Sequence, residues 1–189
     1  MNEIWDRIEA WLAEHAPAVL AGLNGPASEQ EIDATERALG VTLPEDVRAT
    51  YRRHNGSNKD GAALFDYWGF MPLASIQDIS KILNDLRTRG DFDGYQNDGN
   101  ASVMSREWWN PKWVPFAANG SGDHICIDLA PGPRGHLGQV VEWIHDAAER
   151  PIRARDLRTF FSTFAKELKR GEYVYDPEYG GRLKRRDDG

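Results

Sequence analysis

The sequence predicts an α+β fold, in which helices pack on one face of a mostly antiparallel β-sheet. Three observations predict this fold. In the first half of the chain, apolar residues recur at helical spacing in short segments separated by Gly and Pro. Three strand-like runs follow between residues 113 and 144, and a Gly- and Pro-rich turn joins the last two. An amphipathic helix at about residues 157–168 completes the pattern.

Length and composition indicate one domain. The chain has 189 residues, of which 40% are hydrophobic and 28% charged. At this length about 70% of the surface of the unfolded chain can be buried, so a core forms without a metal or a disulfide. We expect residues 1–172 to form this domain and residues 173–189 to be a partly disordered C-terminal extension, because chain ends are often frayed.

The first helices have clear boundary signals. Ile4, Ile8 and Leu12 give the N-terminal segment one apolar face. Ser28 and Glu31 have the spacing of a capping box, which predicts the start of the next helix. That helix ends at a glycine at position 40, where a left-handed residue is expected. A further short helix follows, with a proline at position 44 in its first turn.

The middle of the chain combines a helix and a long loop. After an aromatic, strand-like segment at residues 64–73, Ser75 is expected to cap a helix that Gly90 ends. Residues 90–107 are rich in Gly, Asp and Asn, and they predict a long surface loop, the kind of segment that often carries function. Cys126 lies in an apolar strand-like run, where we expect it to act as a small buried group.

Several motifs, taken in order, resemble the SUKH superfamily and specifically its Smi/Knr family. The resemblance covers residues 4–168 and implies the same α+β layout. The family pattern has an acidic helix, a Leu-Pro corner, a Tyr-containing helix and an Asn-Gly end. The matching residues are Leu39-Gly40, Leu43-Pro44, Tyr51, Asn55-Gly56, Phe70-Met71-Pro72-Leu73, Trp113-Val114-Pro115-Phe116, Gly120-Ser121-Gly122-Asp123, Phe160, Phe161 and Phe164.

The resemblance also implies a function. Bacterial members of the family are immunity proteins of polymorphic toxin systems, and fungal members regulate cell-wall assembly. Our first hypothesis is therefore a non-enzymatic immunity protein that binds and neutralises a cognate toxin. The alternative is an intracellular regulatory or scaffold protein of the cell-wall-assembly-regulator type, which binds endogenous proteins.

The charge balance suggests which partners such a protein meets. A net charge of −7 repels nucleic-acid phosphates and attracts a basic protein, such as a toxin domain with nuclease activity. We expect no direct contact with nucleic acid. The N-terminus lacks the continuous apolar core of a secretion signal, and no apolar run approaches the roughly 18 residues of a membrane span. The default expectation is a cytoplasmic protein that does not bind a membrane.

The expected partner contacts follow from composition and loop position. Asp91, Asp93 and Asp98 of the long loop, together with Asp123, are expected to supply charge at the rim of the contact surface. Trp108 is a candidate aromatic anchor. We expect no catalytic residue, no cofactor and no metal.

The sequence also contains candidate residues for three other kinds of site. Asp123, His124, Asp128 and His145 could bind a metal or serve as acid and base in a small hydrolase. The simpler interpretation is that Asp123 caps a turn and His124 lies on a partly exposed sheet face. The loop aspartates do not match the EF-hand spacing for calcium. Carbohydrate binding would use exposed tryptophans; the candidates are Trp108, Trp109 and Trp113.

Overall fold

The computed structural model describes residues 1–58, 63–103, 107–178 and 181–186. These residues form helices in the first half and at the end of the domain, with strands mainly between them. The helices are α1 (Asn2–His15), α2 (Pro17–Ala21), α3 (Glu29–Leu39), α4 (Glu45–Tyr51), α5 (Leu73–Arg89) and α6 (Leu157–Lys169). The strands are β1 (Gly69–Phe70), β2 (Trp113–Ala118), β3 (His124–Asp128), β4 (Gln139–Trp143), β5 (Ile152–Ala154), β6 (Tyr173–Asp176) and β7 (Arg182–Arg185).

The main sheet is antiparallel and has five strands in the order β1-β2-β3-β4-β5. In its centre Cys126 lies opposite Pro115 on one side and Val141 on the other. The register of β2 against β3 shifts between Pro115 and Ala117. Strand β5, which the sequence pattern does not predict, pairs with β4. This arrangement of sheet and helices confirms the α+β prediction.

Helices cover one face of the sheet and form the larger core. Because neighbouring strand residues point to opposite faces, Ile125 and Ile127 lie on the face that meets α6. Helix α1 packs behind α6, where the Trp5 ring lies 5.1 Å from the Phe161 ring. The N-terminal helix therefore belongs to the same core as the last helix.

A second, smaller core covers the opposite face. Here Trp109 lies 5.8 Å from Trp113 and 5.3 Å from Trp143, in edge-to-face geometry. Leu83 of α5 and Val103 of the long loop complete the cluster. Six of the seven tryptophans are buried, so the high Trp content mainly serves the core: Trp5, Trp68, Trp108, Trp109, Trp113 and Trp143.

The boundary signals at α3 are confirmed. Ser28 and Glu31 make both hydrogen bonds of the capping box, and Gly40 ends the helix in the left-handed region with φ of 62°. The next two helices begin at different residues than expected. Pro44 caps α4 from outside its first turn, and α5 begins at Leu73, directly after Pro72, instead of near Ser75. Proline suits both positions because helix starts do not need its missing N–H.

The Tyr and Gly motifs hold α4 against the start of α5. The Tyr51 hydroxyl donates to the carbonyl of Met71 at 3.0 Å. Gly56 has φ of 72°, and a Cβ at this position would lie 2.2 Å from the nitrogen of Pro72. Only glycine fits such a close approach. These motif residues therefore act in packing.

The C-terminal residues form an antiparallel pair of strands, β6 and β7. Leu183 is fully buried and Tyr173 is buried, and Arg185 forms an ion pair with Glu167 of α6. These contacts explain why residues 182–185, which the sequence assigns to a partly disordered extension, are paired. The proposed boundary at residue 172 stays a prediction. Within the predicted extension, Tyr179, Gly180 and residues 187–189 lie outside the described residues.

Candidate functional site

Two of the predicted contact residues lie around one shallow cavity of about 760 Å³ beside the long loop. Asp93 and Trp108 both line it, beside the exposed ring of Tyr95. Asp91 and Asp98 have partners of their own. Asp91 forms an ion pair with Arg89 at 3.0 Å, and Asp98 accepts a hydrogen bond from the backbone of a neighbouring loop residue. The three loop aspartates are therefore exposed, and Asp91 and Asp98 already have partners within the protein.

Trp108 is buried, with 8% of its surface exposed, and it contacts Arg150. The guanidinium carbon of Arg150 lies 4.7 Å from the centre of the Trp108 ring, and its Nη2 donates to the Trp108 carbonyl at 3.0 Å. Burial lowers the pKa of Arg150 to about 10. The Trp143 indole also donates to this carbonyl, at 2.8 Å. These contacts tie the loop to the sheet, and the partner-anchor role of Trp108 stays a prediction.

Asp123 stabilises the turn between β2 and β3. Its Oδ1 accepts from both the backbone N–H and Nδ1 of His145, at 2.9 and 2.7 Å, and its Oδ2 accepts from Asn119 at 2.7 Å. Burial alone would raise the pKa of Asp123, but hydrogen bonds from His145 and Asn119 outweigh it and lower the pKa. The hydrogen bond to Asp123 in turn raises the pKa of His145. Asp123, His145 and Asp146 each place one atom that could ligate a metal within 4.8 Å of the other two. Both oxygens of the Asp123 carboxylate accept hydrogen bonds, so it holds Asn119 of the β2–β3 turn and His145, which follows β4.

His124 and Asp128 do not join this pair. Both side chains lie on the face of the Trp143 cluster, and His124 is buried instead of partly exposed. Burial lowers the pKa of His124 to about 4. Burial also raises the pKa of Asp128, whose Oδ2 accepts from Gln139 at 2.8 Å. The four residues considered as a hydrolase site therefore do not form one catalytic constellation.

The structure also shows a groove that sequence reasoning missed. It has a volume of about 610 Å³ and lies between α6, the main sheet and the β6–β7 hairpin; we call it the Tyr67 groove. Its floor is apolar and its walls carry both charges. The lining residues are Phe65, Asp66, Tyr67, Trp68, Ile125, Glu142, Arg153, Phe160, Thr163, Phe164, Glu167, Tyr173 and Arg185.

Ion pairs and stacked arginines organise the walls of the Tyr67 groove. Arg153 Nε lies 2.8 Å from a Glu142 oxygen, and Arg185 pairs with Glu167. Arg185 also lies over the ring of Tyr173, with its guanidinium carbon 5.3 Å from the ring centre. The carboxylates of Glu142 and Glu167 are thus each held by a guanidinium, and the charges of the walls are largely balanced.

A tight turn presents Tyr67 at the rim. Phe65 and Trp68 exchange two backbone hydrogen bonds of 3.0 Å, and Asp66 between them has φ of 60°. Asp tolerates the left-handed region better than most residues, so the turn forms without glycine. Tyr67 is 45% exposed, and Arg182 lies 4.7 Å from the centre of its ring. In the sequence, the aromatic run at residues 65–70 was the available signal for the Tyr67 groove. The charged side chains of its walls come from segments that are far away along the chain.

The model of the SMI1 / KNR4 family (SUKH-1) matches residues 26–163, which is more than half of the chain. The chain belongs to this family. The Smi/Knr resemblance of the sequence motifs is thereby confirmed.

Three relatives match this chain over a part of their own length. The chain is 25% identical to the cell wall assembly regulator SMI1 of Saccharomyces cerevisiae, covering 89% of this chain and 40% of that protein. It is 26% identical to the cell wall biosynthesis/cell cycle regulator smi1 of Schizosaccharomyces pombe, covering 94% and 38%. It is 36% identical to F-box only protein 3 of Bos taurus, covering 94% and 39%. The chain spans about two fifths of the length of these curated relatives.

These relatives correct the first functional hypothesis. Two of them are named as fungal regulators of cell-wall assembly or biosynthesis. The prediction of a bacterial immunity protein that neutralises a toxin is therefore wrong, and the regulatory alternative is favoured. Within the described part of the chain, no helix combines the length and the apolar character that crossing a bilayer requires.

Proposed function

We propose that this chain is a non-catalytic recognition module of the cell-wall-assembly-regulator type, which binds a polypeptide segment of an endogenous protein in the Tyr67 groove. One observation carries the proposal: tyrosine and arginine side chains line an apolar floor in a groove of about 610 Å³. Trp, Tyr and Arg dominate the energetically important positions of protein interfaces. The proposed contacts are Tyr67, Arg153 and Tyr173.

The walls of the groove support recognition over catalysis. Glu142 and Glu167 are each engaged by an arginine, so neither carboxylate is left free to act on a substrate. The Tyr67 turn and the ion pairs hold the groove in a defined shape before any partner arrives. Preorganised side chains lose less conformational entropy on binding, which favours affinity. The main rival, a hydrolase, would need His124, which is buried away from Asp123 and His145.

The relatives support an endogenous partner. Those named as regulators are more than twice as long as the stretch that this chain matches, which suits a domain that recognises proteins within a larger assembly. We propose a cytoplasmic location for this function. The one cysteine of the chain, Cys126, is buried and forms no disulfide, as is usual for proteins of reducing compartments.

The experiment is site-specific photo-crosslinking of the full chain in its native host. A photoreactive phenylalanine analogue replaces Tyr67 in one variant and Leu137, which is 70% exposed, in the control. We expect a discrete set of host proteins to crosslink from position 67 and not from position 137. Crosslinking that is equal at both positions, or absent at position 67, would contradict the groove as the binding surface.

The affinity test uses the partner so found and compares two exposed tyrosines. Tyr67→Ala removes the rim of the groove, and we expect it to weaken binding by about 2 kcal/mol, or roughly thirtyfold. Tyr95→Ala is the matched control on the acidic loop, because Tyr95 is 59% exposed. Titration by fluorescence anisotropy measures both. Loss of binding in the Tyr95 variant alone would assign the partner to the acidic loop instead.

A further inference from the structure

A second groove lies between α1 and α6, on the other side of the β6–β7 hairpin; we call it the α1–α6 groove. It has a volume of about 550 Å³. Its floor includes Trp11 and Leu168, and Tyr173 of the hairpin lines both grooves. Apart from Tyr173 it uses different residues from the Tyr67 groove, and a ligand here would be distinct from the partner proposed above.

The rim of the α1–α6 groove is cationic. Arg7, Lys166, Lys169 and Arg186 line it, all four exposed. Among the described residues, none of the four has a carboxylate within ion-pair distance. Elsewhere in the molecule arginines are commonly paired: Arg48, for example, contacts Glu29, Asp33 and Glu36 at 2.7 to 2.8 Å. In a chain with net charge −7, this groove is a local excess of unpaired positive charge.

The aromatic floor is ordered by a local contact. The Trp11 and His15 rings are stacked, with centres 4.6 Å apart and planes 9° apart. The carbonyl of Trp11 also lies 3.0 Å from His15 Nδ1. An apolar side chain of a ligand would meet a preformed aromatic surface, so that little side-chain entropy is lost on binding.

We propose that the α1–α6 groove binds an acidic peptide segment of a partner protein, with carboxylates at the cationic rim and an apolar side chain on Trp11. Charge complementarity carries this choice of occupant, since the groove has an apolar floor and four cations without an ion-pair partner in the described part of the chain. A nucleic acid or an anionic membrane fits the site less well. A concave groove of about 550 Å³ with a few cations suits a short acidic segment better than the continuous phosphates of a nucleic acid or a flat bilayer.

The test begins with selection of peptides on the immobilised full chain. A display library of random twelve-residue peptides is enriched at low salt, and the enriched peptides are synthesised with a fluorescent label. We expect sequences with several Asp or Glu residues near an aromatic or large aliphatic residue. Dissociation constants are then measured by anisotropy for the wild type and for Lys166→Glu/Lys169→Glu. We expect binding to the double variant to be at least about tenfold weaker.

The matched control is Arg37→Glu/Arg134→Glu, which makes the same change of net charge at two exposed arginines outside the groove. We expect it to change the dissociation constant less than about threefold, through long-range charge alone. Circular dichroism checks that each variant is folded. A third variant, Trp11→Ala, tests the floor separately and should also weaken binding while the rim charges stay in place.

Three results would overturn the proposal. The first is enrichment of peptides without acidic residues. The second is an acidic peptide that binds the Lys166/Lys169 variant and the control variant equally well. The third comes from vesicles with phosphatidylserine at about a third of their lipid: if the wild-type chain sediments with them in a Lys166- and Lys169-dependent way while acidic peptides do not bind, the groove serves a membrane.

Discussion

At the residue scale, His124 shows how burial changes the chemistry of a side chain. Its position beside Asp123 suggested a general acid or base, but the strand turns the two side chains to opposite sides. The His124 ring lies 5.8 Å from Trp143, and its Nδ1 has no hydrogen-bond partner among the described atoms. Burial, the largest cause, lowers its pKa to about 4, so the ring is neutral at physiological pH.

This depressed pKa makes folding sensitive to acid. At pH 7.5 the histidine is largely neutral in both the folded and the unfolded chain. As the pH falls from 6.5 to about 4, the unfolded chain binds a proton that the folded chain does not, so stability is lost. Between pH 7.5 and 5.0 we expect the wild type to lose about 2 kcal/mol more of its free energy of unfolding than His124→Phe loses. Urea unfolding at the two pH values measures this difference.

The control for that measurement is His136→Phe, since His136 is exposed on the turn before β4. It should lose as much stability between pH 7.5 and 5.0 as the wild type. Equal acid sensitivity in the His124 variant and the wild type would show that His124 is solvated in the native protein.

At the element scale, local signals in the sequence predicted helices better than short strands. The capping box at Ser28 and the left-handed Gly40 depend on residues that are close along the chain, and both were predictable. Strand β5 was missed because it has three residues, one of them the charged Arg153, and its pairing with β4 is set by the sheet. Hairpin β6–β7 depends on Leu183 meeting the core, which no local pattern encodes.

Leu183 is therefore the residue on which the docking of the hairpin depends. Its side chain is fully buried, and Leu183→Ala should cost about 2 to 5 kcal/mol through lost contacts and a cavity. We expect the amide protons of β6 and β7 to exchange faster in this variant. Hydrogen exchange with mass spectrometry measures it. Leu137→Ala, at an exposed position, is the control, and unchanged protection in the Leu183 variant would contradict the packing described here.

At the scale of the whole molecule, the N-terminal helix and the β6–β7 hairpin join one core. Trp5 of α1 contacts Phe70 of β1 and Phe161 of α6, at ring distances of 6.0 and 5.1 Å. The fold class was predictable because apolar periodicity reports which segments face a core. The Tyr67 groove was not predictable, because its lining residues, such as Phe65, Glu142 and Tyr173, are far apart in the sequence and meet only after folding. The ion pairs of its walls, Glu142 with Arg153 and Glu167 with Arg185, likewise form only in the folded chain.

A shared core predicts a single cooperative transition. We expect urea unfolding curves from far-UV circular dichroism and from tryptophan fluorescence to coincide for the full chain. The two tryptophan-containing cores lie on opposite faces of the same sheet, so neither should unfold before the other. Two separate transitions would show that one face of the sheet unfolds independently.

The burial of Cys126 makes its reactivity a measure of how often the central strands of the main sheet separate. The thiol is the only one in the chain, its exposed fraction is zero, and burial raises its pKa well above the usual value. Only an ionised, accessible thiolate attacks a thiol reagent, so labelling requires the central strands to separate. The rate of modification in native buffer therefore reports how often the sheet opens, without any engineered probe.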